Sequence, residues 1–213
     1  MSSSYKPARK RRSVALPVVI AGGLSSLLLA FSLTPTFSAL TAAITNTTNT
    51  AALGTLIMKE TSGSSTCLST DGGTLYTNSA NCTTINKYGG TTTPLAPGGS
   101  NTTSVTITNT GTITANTFTL TPGACSQTGT VTGSATDLCS KMTVVISSGS
   151  NTLYTGSLDG LYSGGAIDLK AKLGTQAPNS PVSISFVVTA PSSLGNTYQG
   201  LGVSQALTWT FSS

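Results

Sequence analysis

Histidine does not occur once in the 213 residues. Its absence removes the usual general base and the commonest side-chain ligand for transition metals. Charge is nearly as scarce, at 7% of the chain against roughly 25% in an ordinary soluble domain. The five carboxylates, Glu60, Asp71, Asp137, Asp159 and Asp168, are scattered along the sequence. No HExxH pair, phosphate-binding glycine loop or GxSxG elbow is present. CxxC spacing is missing too, which with the lack of histidine leaves no zinc site. Asp159 and Asp168 read as a solvated loop pair, and Asp71 lacks the clustered oxygen ligands that calcium requires. The expectation is a protein without catalytic residues, cofactor or metal.

The basic residues are unevenly placed. Lys6, Arg9, Lys10, Arg11 and Arg12 fall in the first twelve positions. The other five, Lys59, Lys87, Lys141, Lys170 and Lys172, balance the five acids, 5 − 5 = 0. The pI near 9.2 therefore belongs to the leader. No basic stripe remains on the body to bind nucleic acid.

After the basic cluster, Val14–Leu33 (VALPVVIAGGLSSLLLAFSL) is uncharged and mostly apolar, and the small residues Thr36, Ser38 and Ala39 follow. This order is that of an export signal. A run of about 20 residues would also span a bilayer if it were retained, with the arginines on the cytoplasmic side. Residues 1–39 are thus expected to be a leader or membrane anchor, and membrane contact is expected only there. The four cysteines, Cys67, Cys82, Cys125 and Cys139, all lie beyond it. An even count in an exported chain favours disulfides, and proximity selects Cys67–Cys82 and Cys125–Cys139 among three pairings.

What the chain has in quantity is threonine, serine, asparagine and glycine, set around short alternating apolar runs. The stretch LAPGGSNTTSVTITNTG (95–111) shows the pattern, with Pro97-Gly98-Gly99 turning into a strand that alternates Val105 and Ile107 with threonine. β-branched threonine suits the pleat, and its hydroxyl keeps an outer face wet without charge. Further strands are expected at 53–59, 113–121, 142–147, 153–156, 166–170, 182–189 and 203–211. Lys170 and Lys172 read as charges guarding an edge strand, and Trp209 as an anchor in the core or at the sandwich edge. Segment 61–83 is expected to be a loop or weak hairpin, and no helix longer than a turn or two is expected after the leader. About eight strands with this punctuation predict an all-β, jelly-roll-like two-sheet sandwich over residues 53–213.

Three stretches carry a resemblance to a known family. TFSALTAAITNTTNTAALGTLIM (36–58), LAPGGSNTTSVTITNTG (95–111) and NTYQGLGVSQALTWTF (196–211) resemble segments of the TasA/camelysin (CalY) family. That resemblance implies export through a SipW-type signal peptidase, a jelly-roll fold and self-association into extracellular fibres of a biofilm matrix. It places the cleavage after Ala39, leaving Leu40 as the new N-terminus. Two features depart from the family: four cysteines, and very little charge. Without histidine, the metallopeptidase activity ascribed to camelysin is not carried over.

Residues 40–52 (LTAAITNTTNTAA) are uncharged and free of proline, with Leu40, Ala42 and Ile44 at every second position. They are the expected assembly segment, a strand donated to a neighbouring subunit, with a disordered linker as the plainer possibility. The rival to a fibre subunit is a monomeric cell-surface binding module held by the N-terminal helix.

Overall fold

The computed structural model describes residues 43–72, 78–90, 92–129 and 135–213. The leader, Leu40 and Ala42 lie outside the described residues. No helix among the described residues is long and apolar enough to cross a membrane. The chain divides into two units, Met1–Thr50 and Ala51–Ser213. Of the first, Ile44 stands 95% exposed, and the Asn49 amide donates to the Asn46 carbonyl at 3.0 Å.

The second unit holds nine strands among its described residues, all in antiparallel pairs, in two sheets. They are β1 (Met58–Ser62), β2 (Ser65–Leu68), β3 (Ser100–Asn109), β4 (Thr117–Thr128), β5 (Thr143–Ser148), β6 (Asn151–Ser157), β7 (Ile167–Asp168), β8 (Pro181–Thr189) and β9 (Gly202–Ser212). The larger sheet runs β2-β1-β3-β8-β5-β6 and the smaller β7-β4-β9. The helical pieces are short: α1 (Leu138–Lys141), α2 (Leu158–Ser163), α3 (Lys170–Leu173) and a 3₁₀ turn at Asn196–Tyr198. The expected all-β sandwich is what forms.

Period-two alternation places the core. Val105 and Ile107 on β3, Ile184, Phe186 and Val188 on β8, and Val144 and Ile146 on β5 all point inward and are buried. Phe118 and Leu120 of β4 meet them from the smaller sheet, and Leu158 and Leu161 of α2 join the same cluster. The threonine-rich strand within residues 95–111 is β3, at the centre of the larger sheet between β1 and β8.

After β3 the chain turns at 109–111 and passes from the larger sheet to the smaller. Asn109 is fully buried, its Oδ1 accepting from Gly111 N–H and its Nδ2 donating to the carbonyls of Ile113 and Gln176. Thr55 and Ile57 bond to residues 110–113, so the chain lies directly against Gly111. A Cβ at Gly111 would collide with the Thr55 carbonyl oxygen and come within 2.8 Å of the Leu56 Cα.

Three expectations need correction. The first strand starts at Met58, five residues late, and Leu53 is 99% exposed, because 55–57 bonds to a loop before the ladder begins. β7 is only two residues long. Lys170 and Lys172 therefore sit in α3, where Asp168 Oδ1 accepts the Ala171 N–H of its first turn, and guard no strand edge.

Candidate functional site

The smaller sheet stops early on one side. β9 pairs with β4 along almost its whole length, but no other strand among the described residues pairs with it. Its inward side chains, Val203, Gln205, Leu207, Trp209 and Phe211, are only half-buried, whereas Phe118 and Leu120 of the neighbouring β4 are fully buried. Apolar side chains are thus presented to a region that no described strand covers, and the outer edge of β9 has backbone groups that no described strand pairs.

A cavity of about 1210 Å³ lies along this edge. Its walls include β9, the start of β1, the β2 end and segment 78–90. This segment has no strand or helix and crosses the opening by side-chain anchors. Cys82 is joined to Cys67 of β2, with 6.0 Å between their Cα atoms. Asn78 hydrogen-bonds the Leu56 carbonyl and Ser69. Ile85 is buried in the core cluster. No backbone hydrogen bond joins the described part of this segment to β9.

Two polar groups in this mixed wall engage side chains of β9. Tyr88 donates its hydroxyl to Gln205 Oε1 at 2.7 Å, and Gln205 Nε2 donates to the carbonyls of Gly123 and Leu158. Burial pushes the Tyr88 phenol well above its usual range, with the Tyr154 phenol adding to the effect. The second group is an ion pair. Lys87 Nζ lies 2.8 Å from Glu60 Oε1, and the two side chains keep 9% and 6% of their exposure. Trp209 Nε1–H donates to the same oxygen at 3.0 Å, and Lys87 Nζ lies 5.9 Å from the Trp209 ring.

The ladder explains why Glu60 faces inward. It is paired with Cys67 on β2 and Ile107 on β3, both core residues, and cross-strand partners share a face. Trp209 reaches across from the other sheet, with its ring 6.0 Å from Phe118 and 6.1 Å from Phe186. It is the expected anchor, and it also holds the carboxylate. Sequence reasoning missed Glu60 and Lys87. Their only trace was a glutamate at a core-facing parity of β1.

The cysteines form the two expected bridges, Cys67–Cys82 and Cys125–Cys139, and no cysteine is free. Such bonds persist in oxidising compartments. Asp159 lies near the second bridge, within a 4.8 Å cluster of potential ligand atoms. Both sulfurs there are committed to the disulfide, so the cluster offers no thiolate to a metal. Asp71 closes a turn by accepting the Leu68 N–H. Of the expected assembly residues, Ile44 is exposed, while Leu40 and Ala42 lie outside the described residues. The chain matches no model of a known protein family, and no curated protein is significantly similar to it.

Proposed function

We propose that the chain is an exported structural subunit of a surface fibre or matrix, in which residues 40–52 of one copy complete the small sheet of the next. The observation that carries this reading is the open edge of β9 beside a cavity lined by half-buried apolar side chains. An extended segment laid there would supply the missing backbone partners while alternate side chains fill the cavity. The sandwich is then a jelly roll whose smaller sheet becomes four-stranded on assembly. Residues 40–52 have the composition of such a strand, being uncharged, without proline and apolar at Leu40, Ala42 and Ile44. The disulfides agree with life outside the cell, after removal of residues 1–39 by a signal peptidase. A second reading, a monomeric surface module that holds a ligand, is favoured only by the presence of the cavity in a single chain.

The test is to delete residues 40–50, or to substitute Ile44→Asp, and to compare folding with polymerisation. Burial of Ile44 would contribute roughly 1.5–3 kcal/mol per subunit. Circular dichroism should show a folded β-protein, while electron microscopy shows no filaments. Filaments that form normally without the segment would exclude donation, and a wild-type chain that never polymerises would favour the monomeric module.

A further inference from the structure

An apolar groove alone does not account for the composition of the donated segment. On the face that carries Leu40, Ala42 and Ile44, the next side chains at period two are Asn46, Thr48 and Thr50. A carboxamide enters an apolar site at a cost unless it finds hydrogen-bond partners there.

Among the polar side chains that line the groove, one pair offers charged partners. Glu60 Oε1 is already shared by Lys87 and Trp209. Glu60 Oε2 accepts no hydrogen bond from the described residues. Glu60 is one of the residues that line the cavity. Lys87 also lines it, and its ammonium has three hydrogens, one of which is directed at Glu60. An acceptor and a donor therefore stand side by side next to the Trp209 ring. The pair is already neutral as a whole, so an added charge would be unbalanced. A hydrocarbon placed there would offer neither group a hydrogen bond. A carboxamide, with a donor and an acceptor on one planar neutral group, meets both needs.

We propose that the Glu60–Lys87 pair is a specificity site that reads the Asn46 carboxamide of a second copy, Nδ2–H donating to Glu60 Oε2 and Oδ1 accepting from Lys87 Nζ. This rests on the donated-strand reading. It makes Glu60 and Lys87 positioning residues that set which part of the segment is seated, with Ile44 and Ala42 falling on the apolar stretch beside them.

A labelled synthetic peptide of residues 40–52 is titrated against the full exported chain, held dilute enough to be monomeric, with binding read by fluorescence anisotropy. Asn46→Leu in the peptide should weaken binding roughly 10- to 100-fold, the worth of charge-assisted hydrogen bonds. Asn46→Asp should weaken it at least as much, through repulsion by Glu60. Against the E60L/K87M double variant the preference should invert, with the leucine peptide binding as tightly as the asparagine peptide or better. An Asn46→Leu peptide that binds wild type as well as the native peptide overturns the specificity site and leaves the donated strand standing. No binding by any peptide overturns the donated strand, and the specificity site with it. The peptide substitutions leave the protein untouched, so the first comparison decides even where the double variant fails to fold.

Discussion

Replacing Lys87 by methionine measures the weight of the buried ion pair directly. Methionine keeps most of the apolar stem, so the change is chiefly electrostatic. The side chains of Lys87 and Glu60 retain 9% and 6% exposure, which leaves little solvent to screen the carboxylate once its partner is gone. Breaking a buried pair from one side costs roughly 3–5 kcal/mol. The unit Ala51–Ser213 has 213 − 51 + 1 = 163 residues. At about 2.1 cal/mol/K per residue, its unfolding entropy is roughly 0.34 kcal/mol/K, so the melting midpoint should fall by roughly 9–15 °C. Adding Glu60→Leu to the same chain removes the stranded charge, and stability should return to within about 1–2 kcal/mol of wild type. Thermal melts by circular dichroism, with the disulfides intact, complete the cycle with the Glu60→Leu single variant. A Lys87→Met midpoint within about 3 °C of wild type would correspond to about 1 kcal/mol, the value of a solvated surface pair. That result would refute the buried electrostatics drawn from this wall.

Gly111→Ala should destabilise the chain by about 1–3 kcal/mol, since the new methyl group meets backbone at Thr55 and Leu56; a urea midpoint unchanged from wild type would contradict this packing. Replacing Cys125 and Cys139 together by alanine opens a loop with a sequence separation of 14 and should cost about 3 kcal/mol in denaturant melts without reductant. Non-reducing peptide mapping of the wild type should recover Cys67–Cys82 and Cys125–Cys139. The Tyr198 hydroxyl, helped by Lys141, holds the exposed Asp137 carboxylate below its usual range against a smaller desolvation effect. A lowered carboxylate adds stability above its unfolded pKa and loses it as pH falls through the folded one, so Tyr198→Phe should raise the Asp137 titration seen by NMR and reduce that acid sensitivity.

The parts of the fold legible in the sequence are those whose signal is local. Ile184, Phe186 and Val188 alternate with polar neighbours, and all three are buried on one face of β8. The cysteine pairing followed from proximity, because each bridge closes a short loop. Strand ends were not legible. LGTLI at 53–57 is as apolar as a strand, yet the carbonyls of Thr55 and Ile57 are taken by a loop whose position depends on Asn109 and Gly111. At 166–172 the spacing of Lys170 and Lys172 fits a strand face, but over so few residues period two does not exclude a helical turn. The site was hidden for a different reason. Glu60, Lys87 and Trp209 are far apart in sequence, and segment 78–90 has no apolar period to mark it. Only the ladder row Cys67–Glu60–Ile107 reveals that a carboxylate faces the interior.

That row also bears on what the pair is for. Residues 53–213 carry ten charged side chains, five lysines and five acids, and two of the ten are placed together inside the sandwich. A chain that keeps its surface nearly free of ions has little reason to bury two for solubility. Stability is an equally poor reason, because well-packed apolar side chains of similar volume do as well as a buried pair or better. What hydrocarbon cannot do is distinguish one extended polar segment from another. In a protein built largely of threonine, serine and asparagine, many stretches resemble a strand closely enough to lie against an open edge. A groove with apolar walls would accept any of them in several registers, two residues apart. One carboxylate and one ammonium at a fixed point penalise every register that fails to bring a donor and an acceptor there. The E60L/K87M variant should therefore fold, and still bind extended peptide, while losing its preference for Asn46. A variant that folds and keeps the full preference would place the selection elsewhere on the β9 edge, with Gln205 and Tyr88 the next polar groups along it.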